Sequence, residues 1–230
     1  MALRPDPAAL AAFWRAFTHP GEVYEVRLPK TRKGPRRLYG TAGGYFDNGE
    51  AFVEALAHVT GDDAPGVFIT LNPVDPDLLA RAENRLVSRL EATASDRDVL
   101  RRRHLLIDVD PTRKVGIMAT DAEVAAALQT REAIAAYLAD ALGWGAPLYR
   151  LVSGSGGALV YPTDLPNDDT TTELVRRCLA ALAAMFNSDA VTIDQTVYNA
   201  ARITRVPGTI NAKGDDCPAR GRPWRQARAE

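Results

Sequence analysis

Cysteine and histidine are almost missing from this chain of 230 residues. Cys178 and Cys217 lie far apart and form no C-x-x-C pair, which excludes a secreted disulfide framework and makes a reducing cytosol the expected compartment. None of His19, His58 and His104 stands at metal-ligand spacing from another, so H-E-x-x-H zinc sites and the His-hydrophobe-His site of nicking relaxases are excluded. Long apolar runs are also missing. Each is broken within about ten residues by Arg, Asp or Gly, well short of the roughly 20 that a bilayer span needs. At the N-terminus, Asp6 and Pro7 stand where a helix cap and first turn belong, in place of a basic head with a small-residue cleavage site, so neither a membrane helix nor an export signal is expected. Nor does charge of one sign dominate. A net charge of −1 and a pI near 6.3 predict no whole-body attraction to nucleic acid, and any such binding must be local.

What is present suits a folded unit. Hydrophobic residues at 46% and charged residues at 25% exclude a disordered or fibrous chain. The length allows one sizeable core or two small subdomains sharing a cleft. Lysine occurs only at Lys30, Lys33, Lys114 and Lys213, so nearly all basic charge is arginine, and arginine abundance by itself carries little weight. Position carries more. KTRKGPRR packs Lys30, Arg32, Lys33, Arg36 and Arg37 around a Gly-Pro turn signal between two strand-like stretches. That is the pattern of a basic hairpin tip able to touch a nucleic-acid backbone, the plain alternative being a solvated loop. Arg101 to Arg103, and Arg220, Arg222, Arg225 and Arg228, are further clusters that could line a phosphate track.

Periodicity and capping signals predict a helix over 7–17, a strand over 22–28, a helix from an Asp47 cap through His58, and a buried strand at GVFITL (66–71). Asp75-Pro76 predicts a helix through about Leu90, and the polar stretch 92–98 is the best candidate for a subdomain joint. From His104 the signal sharpens. HLLIDVD is a short strand ended by Pro111, and Thr120-x-x-Glu123 is a capping box before a long helix with an apolar stripe of Val124, Leu128, Ala135, Leu138 and Leu142. Leu148–Val152 and Ala158–Tyr161, joined by Ser-Gly-Ser-Gly-Gly, read as a hairpin. A second helix with the stripe Leu174, Cys178, Leu182 and Met185 follows, and then the strand VTID (191–194). The order is β-α-β-β-α-β, an α+β, RRM-like (split β-α-β-β-α-β) layout with one sheet face free for a ligand. The expected division is an N-terminal α/β subdomain over 1–103 packed against a core over 104–216, with a polar Arg-rich tail over 217–230 that has no packed terminal element.

Asp108 and Asp110 lie two apart on this apolar strand, so both side chains leave the same face, with Cα atoms about 6.5–7 Å apart. Two like charges there need a cation, and paired metal ions for in-line phosphoryl or nucleotidyl displacement want such a pair plus a third acid, for which Asp194 is the natural candidate. The plain alternative is that an Asp merely ends a strand and is solvated. DVDPT also fits the D-x-D-x-T loop of haloacid-dehalogenase-like phosphatases, whose first Asp is a nucleophile, but those enzymes have parallel Rossmann-like sheets and a tight hairpin follows here. The Ser-Gly turn has no following Gly-Lys-Ser/Thr and is not a Walker loop, although its amides could hold phosphate. Downstream of Asp194, the residues Asn199, Arg202, Arg205 and Lys213 supply donors and cations suited to a triphosphate.

Taken together, these segments resemble the archaeo-eukaryotic primase superfamily, particularly the primase-polymerase cores of phage, plasmid and mobile-element replication proteins. LLIDVDP (105–111) resembles the family's first motif, SGSGGALVY (153–161) its second, and VTIDQTVYNAARITRVPGT (191–209) its third. The resemblance is close over about residues 100–215. It implies a template-dependent nucleotidyltransferase, a DNA primase and polymerase with two Mg²⁺ or Mn²⁺ ions, in which Asp108, Asp110 and Asp194 hold the metals. Ser153, Gly154, Ser155, Gly156, Ala158, Asn199, Arg202, Arg205 and Lys213 would surround the nucleotide. DNA template and primer, a dNTP or NTP, and a helicase region in a longer parent protein are the implied partners, with no membrane. One position departs from the pattern: the second motif usually carries a phosphate-contacting His where this chain has Ala158. The change is natural or deliberate, and the intact hairpin around it favours the latter. A non-catalytic nucleic-acid-binding module on the same sheet is the rival reading; such sheets display aromatics where this one carries aspartates.

Overall fold

Asp6 accepts hydrogen bonds from the amides of Ala8 and Ala9, and Pro7 fills the first helical position, so α1 runs over Pro7–Phe17 as predicted. The computed structural model describes residues 3–32 and 34–230. The buried face of α1, Leu10, Phe13, Trp14 and Phe17, meets Tyr24, Phe52 and Tyr149 in an aromatic cluster. Two antiparallel sheets share that core. The first, in the order β2-β1-β3-β8, is built from β1 (Tyr24–Leu28), β2 (Ala42–Phe46), β3 (Phe68–Thr70) and β8 (Ile203–Arg205). Strand β8 comes from the 104–216 stretch yet pairs with β3 of the N-terminal part. Between β2 and β3, α2 covers Gly49–Leu56 and is capped by Asn48; Asp47 is bound to Asn84 instead, so the helix starts later than its acidic residue suggested.

The helix expected over 75–90 does not form. Only a short 3₁₀ turn, Pro76–Arg81, follows the Asp75 cap. Beyond it the chain lies along the outer edge of β2: Gly43 and Val87 exchange backbone hydrogen bonds of 3.0 and 2.8 Å, and the Asn84 amide donates to the Tyr45 carbonyl. The extended path packs Ala82, Val87 and Leu90 against a buried cluster with Tyr45 and Val74, and this tertiary burial overrides the local helix signal. Within the mostly exposed 92–98 stretch Ala94 is buried, and its amide donates to the buried Glu25 carboxylate, which also receives Arg27.

The second sheet carries the predicted unit: β4 (Arg101–Pro111), α3 (Asp121–Leu142), β5 (Tyr149–Val152), β6 (Gly157–Pro166), α4 (Asp169–Phe186) and β7 (Val191–Ile193). Its order is β5-β6-β4-β7, antiparallel throughout, which removes the parallel framework that the phosphatase reading required. The capping box at Thr120 and Glu123 forms as read. The helix stripes are only partly right. Leu142 is exposed, and α4 buries Thr171, Val175, Leu179, Leu182 and Ala183, leaving Leu174 at 58% and Met185 at 52% exposure. Apolar residues occupy two adjacent faces of α4, and the sheet takes the one carrying Val175 and Leu179.

The terminal segment is not a loose tail. β10 (Arg225–Gln226) pairs with β9 (Ile210–Asn211), and β11 (Arg228–Ala229) adds to the outer edge of β5 with Ala227 fully buried between them. No helix among the described residues is long and apolar enough to cross a membrane.

Candidate active site

The register of β4 decides where its carboxylates stand. Asp108 lies opposite Ala158 on β6, and Asp110 lies opposite Thr192 on β7. Both side chains line one pocket at the seam between the sheets, with Ser153, Ser155 and Ala158 from the hairpin side and Arg205 and Lys213 from the other. Burial, and then the neighbouring Asp110 carboxylate, push the Asp108 carboxyl up to about 7; Lys213 and Arg202 oppose the shift and Asp194 adds to it. Burial and the neighbouring acids thus disfavour the charged form of Asp108, and a bound cation would favour it.

The Ser-Gly hairpin closes over this pair. The amide and Oγ of Ser153 both donate to the Gly156 carbonyl, at 3.0 and 3.2 Å. A Cβ at Gly156 would lie 2.7 Å from both Asp110 Oδ1 and the Val109 carbonyl, so only glycine lets the turn come this close to the carboxylate. Ser155 is buried, and its Oγ receives Asn211 Nδ2 at 3.2 Å. Ala158 is 1% exposed and sits on the pocket floor.

Arg205 supplies the opposing charge. Its guanidinium is 4% exposed, stacks over Phe68 at 4.6 Å and donates to the Ile210 carbonyl at 3.4 Å; its Nη2 is buried with no hydrogen-bond partner. Burial lowers its pKa to about 10, and the charges of Asp108 and Asp110 oppose that shift. Lys213 reaches solvent at the pocket mouth, while crowding on its protein side and the nearby Arg205 lower its pKa.

Several expected site residues stand elsewhere. The amide of Asp194 donates to the Asp108 carbonyl at 2.9 Å, but its Oδ1 is taken by the amide and hydroxyl of Thr196. Its Oδ2 is left free of those bonds, and its charge helps to raise the pKa of Asp108; among the described residues no three His, Cys, Asp or Glu side chains group as metal ligands. Asn199 Nδ2 is bound to Asp96, away from the pocket. Arg202 donates to the Thr196 carbonyl and contributes only through its charge near Asp108. Arg32 is a staple rather than a free contact: it donates to the carbonyls of Gly61 and Ala212 and lies over Trp224. Lys30, Arg36 and Arg37 are exposed on the tip, and Lys33 lies outside the described residues.

The other arginine clusters form no track. Arg101 and Arg103 pair with Asp164, and Arg102 is buried on the Tyr198 carbonyl and Thr172. Arg222, Arg225 and Arg228 pair with Glu123, Asp121 and Glu230. Two site residues had no sequence signal. Asn211 ties the Ser153 carbonyl at 2.8 Å to its own strand, and Arg113 enters the pocket from the β4–α3 loop. Neither belongs to a spaced motif, because each acts through the fold.

No family model matches this sequence, and no curated protein matches it. Solved structures do. The AEP domain of the primase-polymerase from cyanophage S-2L aligns over 99% of this chain and 91% of its own, with a TM-score of 0.51 and 12% identity. The polymerase domain of ligase D from Mycobacterium tuberculosis, in complex with DNA, aligns over 87% of this chain and 74% of its own, with a TM-score of 0.48 and 16% identity. The likeness to the cyanophage domain spans both sheets and the pocket between them, and the chain has the fold of an archaeo-eukaryotic primase (AEP) domain.

Proposed function

We propose that this chain is a template-dependent nucleotidyltransferase, a primase-polymerase that joins nucleotides on a DNA template in the replication of a phage, plasmid or other mobile element. The observation that carries the reading is the pairing, in one pocket, of a buried guanidinium that has an unpartnered nitrogen with a carboxylate pair that Arg113, 3.9 Å from Asp110, only partly compensates. Carboxylates that need cations beside a cation that needs an anion fit a nucleoside triphosphate carried with divalent ions. The donor set suits that group: Asp108 and Asp110 would hold Mg²⁺ or Mn²⁺, and Asp194 would join them through Oδ2, its Oδ1 being held by Thr196. Bound ions would supply positive charge at the α-phosphate and lower the pKa of the attacking 3′-hydroxyl.

The chain's own residues do the rest. Arg205 and Lys213 bind and orient the triphosphate oxygens, with Arg113 beside them. The Ser153–Gly156 turn walls the pocket and limits water. Asp108 positions the 3′-oxygen for in-line attack; the bond to the α-phosphorus forms as the bond to the pyrophosphate oxygen breaks, the hydroxyl proton passes to solvent, and pyrophosphate leaves towards Lys213. Ala158 withholds one phosphate contact, so this form is slower than one carrying His there. Residues 104–216 act as the catalytic subdomain, with β8 pairing it to β3 of the 1–103 part.

The deciding experiment is extension of a labelled primer on a DNA template with dNTPs and Mg²⁺ or Mn²⁺. The comparison is between this chain, Ala158→His, and Asp108→Ala in that background. Extension that strengthens with Ala158→His and vanishes with Asp108→Ala is the expected result. Extension indifferent to Asp108 refutes the reading; inert chains that still bind primer-template make this a binding module.

A further inference from the structure

The arginines of this protein divide into two groups. Many are neutralised inside the molecule, as Arg103 is by Glu22, Arg131 by Glu230 and Arg222 by Glu123. Others are not. Among the described residues, Arg36, Arg37, Arg85 and Arg89 are exposed and make neither an ion pair nor a side-chain hydrogen bond. They are far apart in sequence, and the fold gathers them.

Arg36 and Arg37 stand on the β1–β2 tip, and Arg85 and Arg89 stand on the extended segment that replaces the expected helix. That segment is laced to the tip by backbone and hydroxyl contacts: Arg89 amide to Tyr39 carbonyl at 2.9 Å, Tyr39 amide to Ser88 Oγ at 3.2 Å, and Leu90 amide to Thr41 carbonyl at 2.8 Å. Gly44 permits the approach, since a Cβ there would lie 1.8 Å from the Arg85 carbonyl. Tyr39 presents a ring 41% exposed beside these arginines. Lys30, Arg37 and Arg89 all hold positive φ of 51–54°, a conformation costly for side-chain-bearing residues and retained where surroundings impose it. The acids of the segment, Glu83 and Glu91, do not pair with these arginines. The tip is also anchored at the pocket: Arg32 grips the Ala212 carbonyl at 2.7 Å, and the next residue, Lys213, lines the pocket mouth.

We propose that Tyr39, Arg85 and Arg89, joined to Arg36 and Arg37, form the surface that takes single-stranded template leaving the pocket, with phosphates on the guanidinium groups and a base stacked on Tyr39. The inference rests on the polymerase reading above and names the residues that would hold its template strand. An exposed ring among unneutralised arginines is what single-strand binding requires, because stacking tolerates any base and the arginines follow the backbone. On a molecule of net charge −1, such attraction must come from local clusters of this kind.

The test is fluorescence anisotropy of primer-template DNAs whose 5′ template overhang is about two or about twelve nucleotides, the longer within the span of one single-strand site. The parent chain should bind the longer overhang about tenfold more tightly. The double variant Arg85→Ala/Arg89→Gly should lose most of that gain, and its salt slope should fall by about 1.4, two contacts at roughly 0.7 each. Glycine suits the positive φ at 89, so its melting temperature should not drop. Tyr39→Ala should reduce the gain while leaving the salt slope unchanged.

No overhang gain in the parent, or a gain that survives in the double variant, overturns the proposal. The two readings fail separately. Asp108-dependent extension with no role for Arg85 and Arg89 sinks the surface and leaves the polymerase. An overhang gain lost in the double variant, without Asp108-dependent extension, keeps single-strand binding and sinks the polymerase.

Discussion

The two sheets bring opposite charge to one seam. From the β5-β6-β4-β7 sheet come Asp108 and Asp110; from β8 of the other sheet comes Arg205, with Lys213 just beyond. Each half alone carries charge that burial penalises, and neither fully relieves the other, since no hydrogen bond joins Arg205 to either aspartate and one of its nitrogens is unpartnered. The exposed tip differs. Its cations are solvated, cost the fold little and act independently. Charge concentrated in a pocket marks a site for chemistry, whereas charge spread on a surface marks a site for holding.

That contrast can be broken from the pocket outwards. Asp108→Ala should lower primer extension by about 10³-fold or more, whereas Arg36→Ala on the tip should mainly weaken binding. The same carboxylate should cost stability in metal-free protein. Its folded pKa is about 7 against an ordinary 3.8, so the native state keeps a proton that the unfolded chain has released, and stability falls as pH rises from about 4 to about 7. Asp108→Asn should remove that slope and stabilise the metal-free protein by about 2–4 kcal/mol at pH 8, read by chemical denaturation across pH. If the variant is less stable there, the carboxylate is compensated after all.

Helix α4 offers a second contrast. Leu179→Ala, on the buried face, should cost about 2–5 kcal/mol, and Leu174→Ala, on the face that the sequence favoured, less than about 1 kcal/mol, both by urea unfolding. Smallest on catalysis is Arg205→Lys. The folded protein should remain, but loss of the planar fork over Phe68 should raise the KM for nucleotide by about tenfold with kcat less affected. Equal effects on KM and kcat would place Arg205 at the transition state instead.

The β4-to-β7 unit was legible because its signals are local: the three-residue apolar run Leu105–Ile107 before Asp108, a capping box, a Ser-Gly turn. The carboxylate pair was legible for the same reason, since a spacing of two on a strand fixes a common face. What failed depended on distant partners. Nothing in residues 83–91 announces the edge of β2, and nothing in Arg222 or Arg225 announces Glu123 or Asp121 across a hundred positions. Asp194 was correctly put beside β4, but the short-range pull of Thr196 on its side chain was not foreseen. On α4 the residues of two adjacent faces are equally apolar, so only the shape of the sheet beneath could choose.

The strand at Arg228–Ala229 has a consequence in time. It covers the edge of β5, and Arg225 beside it holds the Gly154 carbonyl of the hairpin. During synthesis β5 therefore waits, its edge unpaired, until a segment more than seventy-five residues downstream emerges. Over that interval the β5 edge is open to pairing with a neighbouring nascent chain, and the hairpin over the carboxylates lacks the hold of Arg225.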